Sequence, residues 1–461
     1  MKKKLLAAIA LFCAYLVGCS DNDSSSNSAG GEDLARYTVV VFGTAEGYSD
    51  STIENVYEGV QSLMDEKDVR ILFCYKYGKE VSYEDDLETG EKVEHSFVGK
   101  YAKPGQFVAF ELTKNLDLNK IVENPVIVAD SSQSLYEPGF LAKILNYASD
   151  SLPAQDYVLV FHGHGTGFYF DQDYPKDKRK NVALAKTQIV TTAGLLPDEW
   201  NGNEMNMYEV RREIEKSSIK HFKAIYFHNC YMGNMEILSE IYSYADYIVA
   251  SEHRLASNGT LIVDFVKELY KGGDFEESMK SYLDNTRDHW KLEYETVGKN
   301  GDLNVIKTSE FETLFPIFQK IAKRMKDLYK DSKQKIYLSS TMLVAYSIDG
   351  DCLYDALDYV QKAAKITKDS ILVAEADSLK NAFDKLFVKK IEVHYNEEQN
   401  IDSFSLSVAV ADKNTLEGET DWGYKNKDAY EYTQFHKKTG WGEWLYTNDV
   451  NVLVAQDEAE E

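Results

Sequence analysis

The chain has 461 residues, of which 44% are hydrophobic and 13% aromatic, enough to bury a large core and to place it among globular proteins. Its formal net charge of −25 argues against nucleic acid or an anionic bilayer as the main partner. Such acidity suits a protein that must stay soluble outside the cytoplasm.

From the N-terminus, Lys2, Lys3 and Lys4 precede a short apolar run that ends in Leu16-Val17-Gly18-Cys19. The run is too short for a spanning helix and reads as a signal peptide over residues 1–19. Its last four residues resemble a bacterial lipobox, which implies acylation of Cys19 and attachment to the membrane by lipid alone. Residues 20–36 are polar and serine-rich, a flexible tether. The acidic cluster after Cys19 resembles the surface-export signals of Bacteroidetes lipoproteins. The expected location is therefore the bacterial envelope, as an outer-membrane lipoprotein displayed on the surface or held on the periplasmic face.

Folded structure is expected to begin near Tyr37. Residues 37–42 form a short β-branched run closed by Gly43, which reads as a buried strand. A helix follows from about Ser51 to Met64, with Ile53, Val56, Tyr57, Val60 and Leu63 on one face. Strands are predicted over 69–77 and 125–129, a hairpin excursion over 82–110, and a helix over 138–147. Two further apolar runs, 157–161 and 224–227, end in small or polar residues, and 247–250 repeats the pattern. Strands alternating with helices predict a mostly parallel sheet covered on both faces, with ligands at the carboxyl ends of its strands. Residues 37–260 are expected to form this domain. Residues 261–461 read as helix-rich, with amphipathic stretches over 310–328 and 354–365, and close on β-like pieces at 391–395 and 404–410 and an aromatic tail with Trp441 and Trp444.

Two motifs fall at those strand ends. The first, His162-Gly163-His164-Gly165-Thr166-Gly167-Phe168, is a glycine-rich turn whose backbone N–H groups can approach a ligand closely. The second, His228-Asn229-Cys230-Tyr231-Met232-Gly233, leads into a helix expected over 235–242, whose positive end favours thiolate. A cysteine and a histidine at neighbouring strand tips suit covalent catalysis. His162, His164 and Cys230 also suit zinc, though no fourth ligand is evident. Of the five cysteines, Cys13 lies in the leader and Cys19 in the lipobox, and Cys74, Cys230 and Cys352 are too widely spaced for a disulfide framework.

On these two motifs, on Val249-Ala250-Ser251-Glu252, on the Pro153-Ala154 lead-in and on Thr439-Gly440-Trp441, the chain resembles the clostripain family of cysteine peptidases, relatives of caspases, gingipains and legumains. The resemblance implies a caspase-like three-layer α/β sandwich with a mostly parallel central sheet and a helix-rich C-terminal extension. It implies acyl transfer on peptide or protein substrates without metal or organic cofactor. Cys230 would be the nucleophile, His164 its acid/base partner, and the N–H groups of Gly165 and Cys230 the oxyanion donors. His164 is preferred to His162 because of its Gly-Thr-Gly-Phe continuation and its spacing from the strand. His228, Asn229, Ser251, Glu252 and Asn258 would line the substrate pocket.

The chain departs from its relatives in that pocket. Members cutting after arginine or lysine are expected to carry an acid two residues before the nucleophile, where this chain has His228, and another near Asn258. An altered primary specificity follows. The long segment 169–207 holds five basic residues at 176, 178, 179, 180 and 186, and suits either a solvated loop or a maturation loop cut on activation. A different class of function, an inactive surface-binding lipoprotein on a peptidase scaffold, is the competing expectation.

Overall fold

Runs of β-branched and aromatic residues become the strands of the central sheet in the computed structural model. It describes residues 34–45, 49–64, 68–77, 81–85, 92–96, 101–168 apart from 104, 124, 131 and 136, 193–198, 203–255, 260–349, 353–395, 401–410, and 430–447 apart from 432. The leader, Cys19, the tether up to residue 33, Asn258, Cys352 and most of segment 169–207 lie outside the described residues.

In chain order the first half comprises β1 (Ala35–Ala45), α1 (Ser49–Val60), β2 (Val69–Tyr77), the hairpin β3 (Val81–Asp85) and β4 (Lys92–Ser96), β5 (Phe107–Leu112), β6 (Ile127–Ala129), α2 (Phe140–Ser151), β7 (Ala154–His162), β8 (Gly165–Phe168), β9 (Ala193–Asp198) and β10 (Asn203–Met205). There follow α3 (Met207–Lys216), β11 (Phe222–His228), α4 (Met235–Ile241), β12 (Ala245–Ala250), α5 (Thr260–Lys271), α6 (Phe275–Val297) and β13 (Gly301–Lys307). The last part holds α7 (Leu314–Leu328), α8 (Ser332–Thr341), β14 (Ser347–Asp349), β15 (Leu353–Asp355), α9 (Ala356–Thr367), α10 (Ser370–Leu386), β16 (Phe387–Val393), β17 (Ser407–Ala409) and two short helices around Trp441.

Nine strands form one sheet in the order β16-β13-β12-β11-β7-β1-β2-β5-β6. The five central strands, β12 to β2, pair in parallel, and the outer ones are antiparallel. This is the expected mostly parallel, caspase-like sheet. Alternation along each strand sends its side chains to two separate cores. Val40, Phe42, Leu159, Phe161, Ile225 and Phe227 face α2, α3, α4 and α7, while Val39, Val41, Val158, Val160, Ala224 and Tyr226 face α1, α5 and α6. Strands of the central five are apolar on both faces because helices cover both, which explains their unbroken hydrophobic runs.

Residues on either side of the expected division at 260–261 share this sheet, since β13 and β16 extend it beyond β12, and Ala35–Glu461 form one compact unit. A smaller sheet, β14-β15-β17, is pinned to the helix after the cysteine motif. Asn234, the N-cap of α4, donates through Nδ2 to Ser407 Oγ at 3.2 Å, and the Ala409 N–H and Tyr430 Oη donate to Glu236 at 3.1 and 2.7 Å. Among the described residues no helix is long and apolar enough to cross a membrane.

Candidate active site

Strands β7 and β11 lie side by side, with His162 opposite His228, so the two motifs leave the sheet together. Gly165 then packs onto the cysteine turn. A Cβ placed there would lie 2.8 Å from Asn229 Cβ, 3.1 Å from the Cys230 nitrogen and closer still to the Cys230 carbonyl oxygen, so only glycine allows this approach. Asn229 staples the loops from the other side, donating through Nδ2 to the carbonyls of Gly163 at 2.9 Å and His164 at 3.0 Å. Its Oδ1 is buried without a hydrogen-bond partner among the described residues.

Cys230 is half-buried and forms no disulfide among the described residues, and its Sγ accepts the Leu255 N–H at 3.3 Å. The next residue, Tyr231, has φ of 62°, a left-handed conformation that costs a tyrosine on the order of 1 kcal/mol and that places the thiol at the apex of a sharp turn. Two backbone bonds hold the turn, from the Tyr231 N–H to the His253 carbonyl at 2.9 Å and from the Gly233 N–H to the Ser251 carbonyl at 2.6 Å. Gly233 has no room for a side chain, because a Cβ would stand 2.7 Å from the Glu252 nitrogen.

The three histidines of the motifs differ sharply. His162 is buried, stacks on His228 with ring centroids 5.0 Å apart, and lies 3.3 Å through Nε2 from Thr52 Oγ1. Burial, and then the neighbouring His228 and His164, hold its pKa well below the usual imidazole range. Burial likewise pulls His228 down to about 4. Neither ring supplies an imidazolium near neutral pH. His164 is exposed.

Of the other expected pocket residues, Ser251 and Glu252 are fully buried, and Asn258 lies outside the described residues. Burial, with the carboxyl groups of Asp355 and Asp302 nearby, pushes Glu252 well above the usual carboxylate range. Asp302, which receives bonds from Ser251 and His253, carries no signal in the sequence, because the strand holding it returns about fifty residues later in antiparallel sense. Burial pushes the Cys74 thiol well up, leaving it unreactive. Among the described residues no three His, Cys, Asp or Glu side chains stand where they could share a metal ion.

The buried carboxyls have a measurable consequence. Burial raises Glu236 from 4.5 to about 7 and Asp355 from 3.8 to about 6. The folded state keeps these protons while the unfolded chain releases them, so the stability these two carboxyls contribute is full below about pH 4 and is lost as pH rises to about 7. Buried His162 and His228, with lowered pKa values, act in the opposite sense, so the carboxyl contribution is read by difference between variants from the change of melting temperature between about pH 5 and about pH 7.5. Glu236→Gln should shift that change in favour of the higher pH, and an unchanged difference would show that Glu236 does not titrate across it.

A strand-end thiol on a sharp turn, facing a glycine-rich loop on a neighbouring parallel strand, defines a class: a cysteine-type peptidase of caspase-like α/β fold, acting on peptide or protein substrates. The model of the Clostripain family, the C11 peptidases, matches residues 43–446, and the chain belongs to that family. Its fold is similar to that of a secreted C11 cysteine protease from Bacteroides thetaiotaomicron solved with an irreversible peptide inhibitor, at 15% identity and a TM-score of 0.57 over 88% of this chain and 99% of that one. It is also similar to an inactive zymogen C11 protease from Parabacteroides distasonis, at 16% identity and a TM-score of 0.52 over 89% of this chain and 99% of that one. No curated protein matches the chain.

Proposed function

We propose that the chain is an endopeptidase in which Cys230 Sγ attacks the scissile carbonyl and His164 accepts the thiol proton and delivers it to the leaving amine. The observation that carries this reading is the contrast among the imidazoles. A thiolate–imidazolium pair needs a ring that protonates near neutrality, and His162 and His228 are buried and neutral there while His164 is exposed. The N–H groups of Gly165 and Cys230 would receive the oxyanion, a role supported by the close packing of their backbones. The test is covalent: a peptidyl acyloxymethyl ketone is expected to form its adduct at Cys230, and an adduct only at Cys74 or Cys352 would remove the reading.

Primary specificity is proposed to differ from cleavage after arginine or lysine. The position two residues before the nucleophile is a buried imidazole, and Glu252 is fully buried with its carboxyl pushed above the usual range, so neither presents a guanidinium with an accessible carboxylate. Profiling with a peptide library is expected to show depletion of Arg and Lys at the residue before the cut; a profile dominated by them would contradict this.

Activation by cleavage between β8 and β9 is proposed as well. Phe168 pairs with Ala193 and Gly167 with Gly194, so a cut in the intervening residues would leave both new ends held in one antiparallel ladder. The lipobox-like Leu16-Val17-Gly18-Cys19 supports anchorage of the mature chain to the bacterial envelope through acylated Cys19.

A further inference from the structure

One side chain of β13 gathers most of the polar groups of the segment after β12. Asp302, on β13 and fully buried, accepts from Ser251 Oγ at 2.7 Å, the Glu252 N–H at 3.0 Å, the His253 N–H at 3.2 Å and His253 Nδ1 at 2.8 Å. Asn304 Nδ2 donates to it as well. On the outer side Tyr294 Oη donates to the Arg254 carbonyl, and His253 Nε2 lies 2.8 Å from Tyr346 Oη. Burying a carboxylate is costly unless donors surround it, and here the donors come from three successive residues. Their satisfaction fixes the backbone of Ser251–His253, and therefore the direction in which the chain presents the Leu255 N–H to Cys230 Sγ.

We propose that Asp302 is a positioning residue of the peptidase site, clamping Ser251–His253 so that the Leu255 N–H points at the Cys230 sulfur and favours its thiolate. The proposal rests on Cys230 being the nucleophile. A hydrogen bond donated to the charged form of an acid lowers its pKa, and a backbone N–H aimed at sulfur acts in that way. Among the described residues the titratable or charged groups on the elements around the thiol are His228 and Tyr231 on its own strand and turn, Glu252, His253 and Arg254 after β12, His164 after β7, Tyr294 on α6 and Asp302 on β13.

The clamp and simple electrostatics predict opposite signs. Deleting the negative charge of Asp302 would by itself favour thiolate and lower the thiol pKa. Losing the aimed N–H raises it.

The test follows the pH dependence of iodoacetamide alkylation at Cys230, mapped by peptide mass, in the full chain carrying Asp302→Asn, Asp302→Ala or Ser251→Ala. The midpoint is expected to rise by about one pH unit in Asp302→Ala, with smaller rises in the other two. If Asp302→Ala does not fold, Asp302→Asn and Ser251→Ala decide the matter, each checked by its near-ultraviolet circular dichroism. Unchanged or lowered midpoints in the folded variants overturn the proposal. Alkylation needs no peptide turnover, so a wild-type chain that fails to hydrolyse peptides would count against the endopeptidase reading while the alkylation curve still reports on the clamp.

Discussion

Cys230→Ala is expected to lower kcat/KM for peptide hydrolysis by at least about 10⁴-fold, because acyl transfer without a covalent nucleophile leaves only binding and oxyanion stabilisation. The side chain is small and only half-buried, so the melting temperature should stay within about 3 °C of wild type. The same variant addresses maturation. If the chain cuts itself between β8 and β9, wild-type protein runs as two fragments and Cys230→Ala as one. An intact wild-type chain with full activity would remove the maturation step, and turnover by Cys230→Ala would remove the nucleophile.

His164→Ala and His162→Ala should separate chemistry from packing. Losing a general acid and base typically costs about 10²–10⁴-fold, and that loss is expected for His164→Ala with little change in stability. Combined with Cys230→Ala it should add almost nothing, since the two groups act as a unit. His162→Ala instead removes a ring packed against His228 and edge-on to Tyr75, with centroids 5.7 Å apart. It should cost about 2–4 kcal/mol of stability while keeping kcat within about tenfold wherever the variant is folded. The reverse pattern would exchange the two roles.

The central strands were legible because their pattern is local. Val69–Tyr77 was expected as a strand and is one, since its apolar run Ile71–Tyr75 is uninterrupted and flanked by Arg70 and Lys76. The first helix was expected over Ser51–Met64, and the structure ends it at Val60 with a 3-10 turn over Gln61–Leu63, a tightening that hydrophobic spacing does not register. Strand β8 carried no strand signature, because Gly-Thr-Gly-Phe is poor in β propensity; its partner β9 supplies the order from within what reads as a polar loop. The C-terminal stretch was expected to be helix-rich with terminal β pieces. That β13 and β16 continue the main sheet depends on which edge is open after β12, and no window of residues encodes that. For the same reason the cysteine and histidine motifs could be recognised from their neighbours, whereas Asp302 and Leu255 emerge only from the closure of the chain upon itself.

The order of strands across the sheet also sets when, during synthesis, the surroundings of the thiol can be completed. β1 is synthesised first yet sits between β2 and β7, and the cysteine turn rests on a segment braced by β13, itself made long afterwards. A chain still on the ribosome lacks β13, and with it this brace, until residue 307 has been made. Late completion of distant pairings therefore separates the making of the cysteine from the assembly of its surroundings.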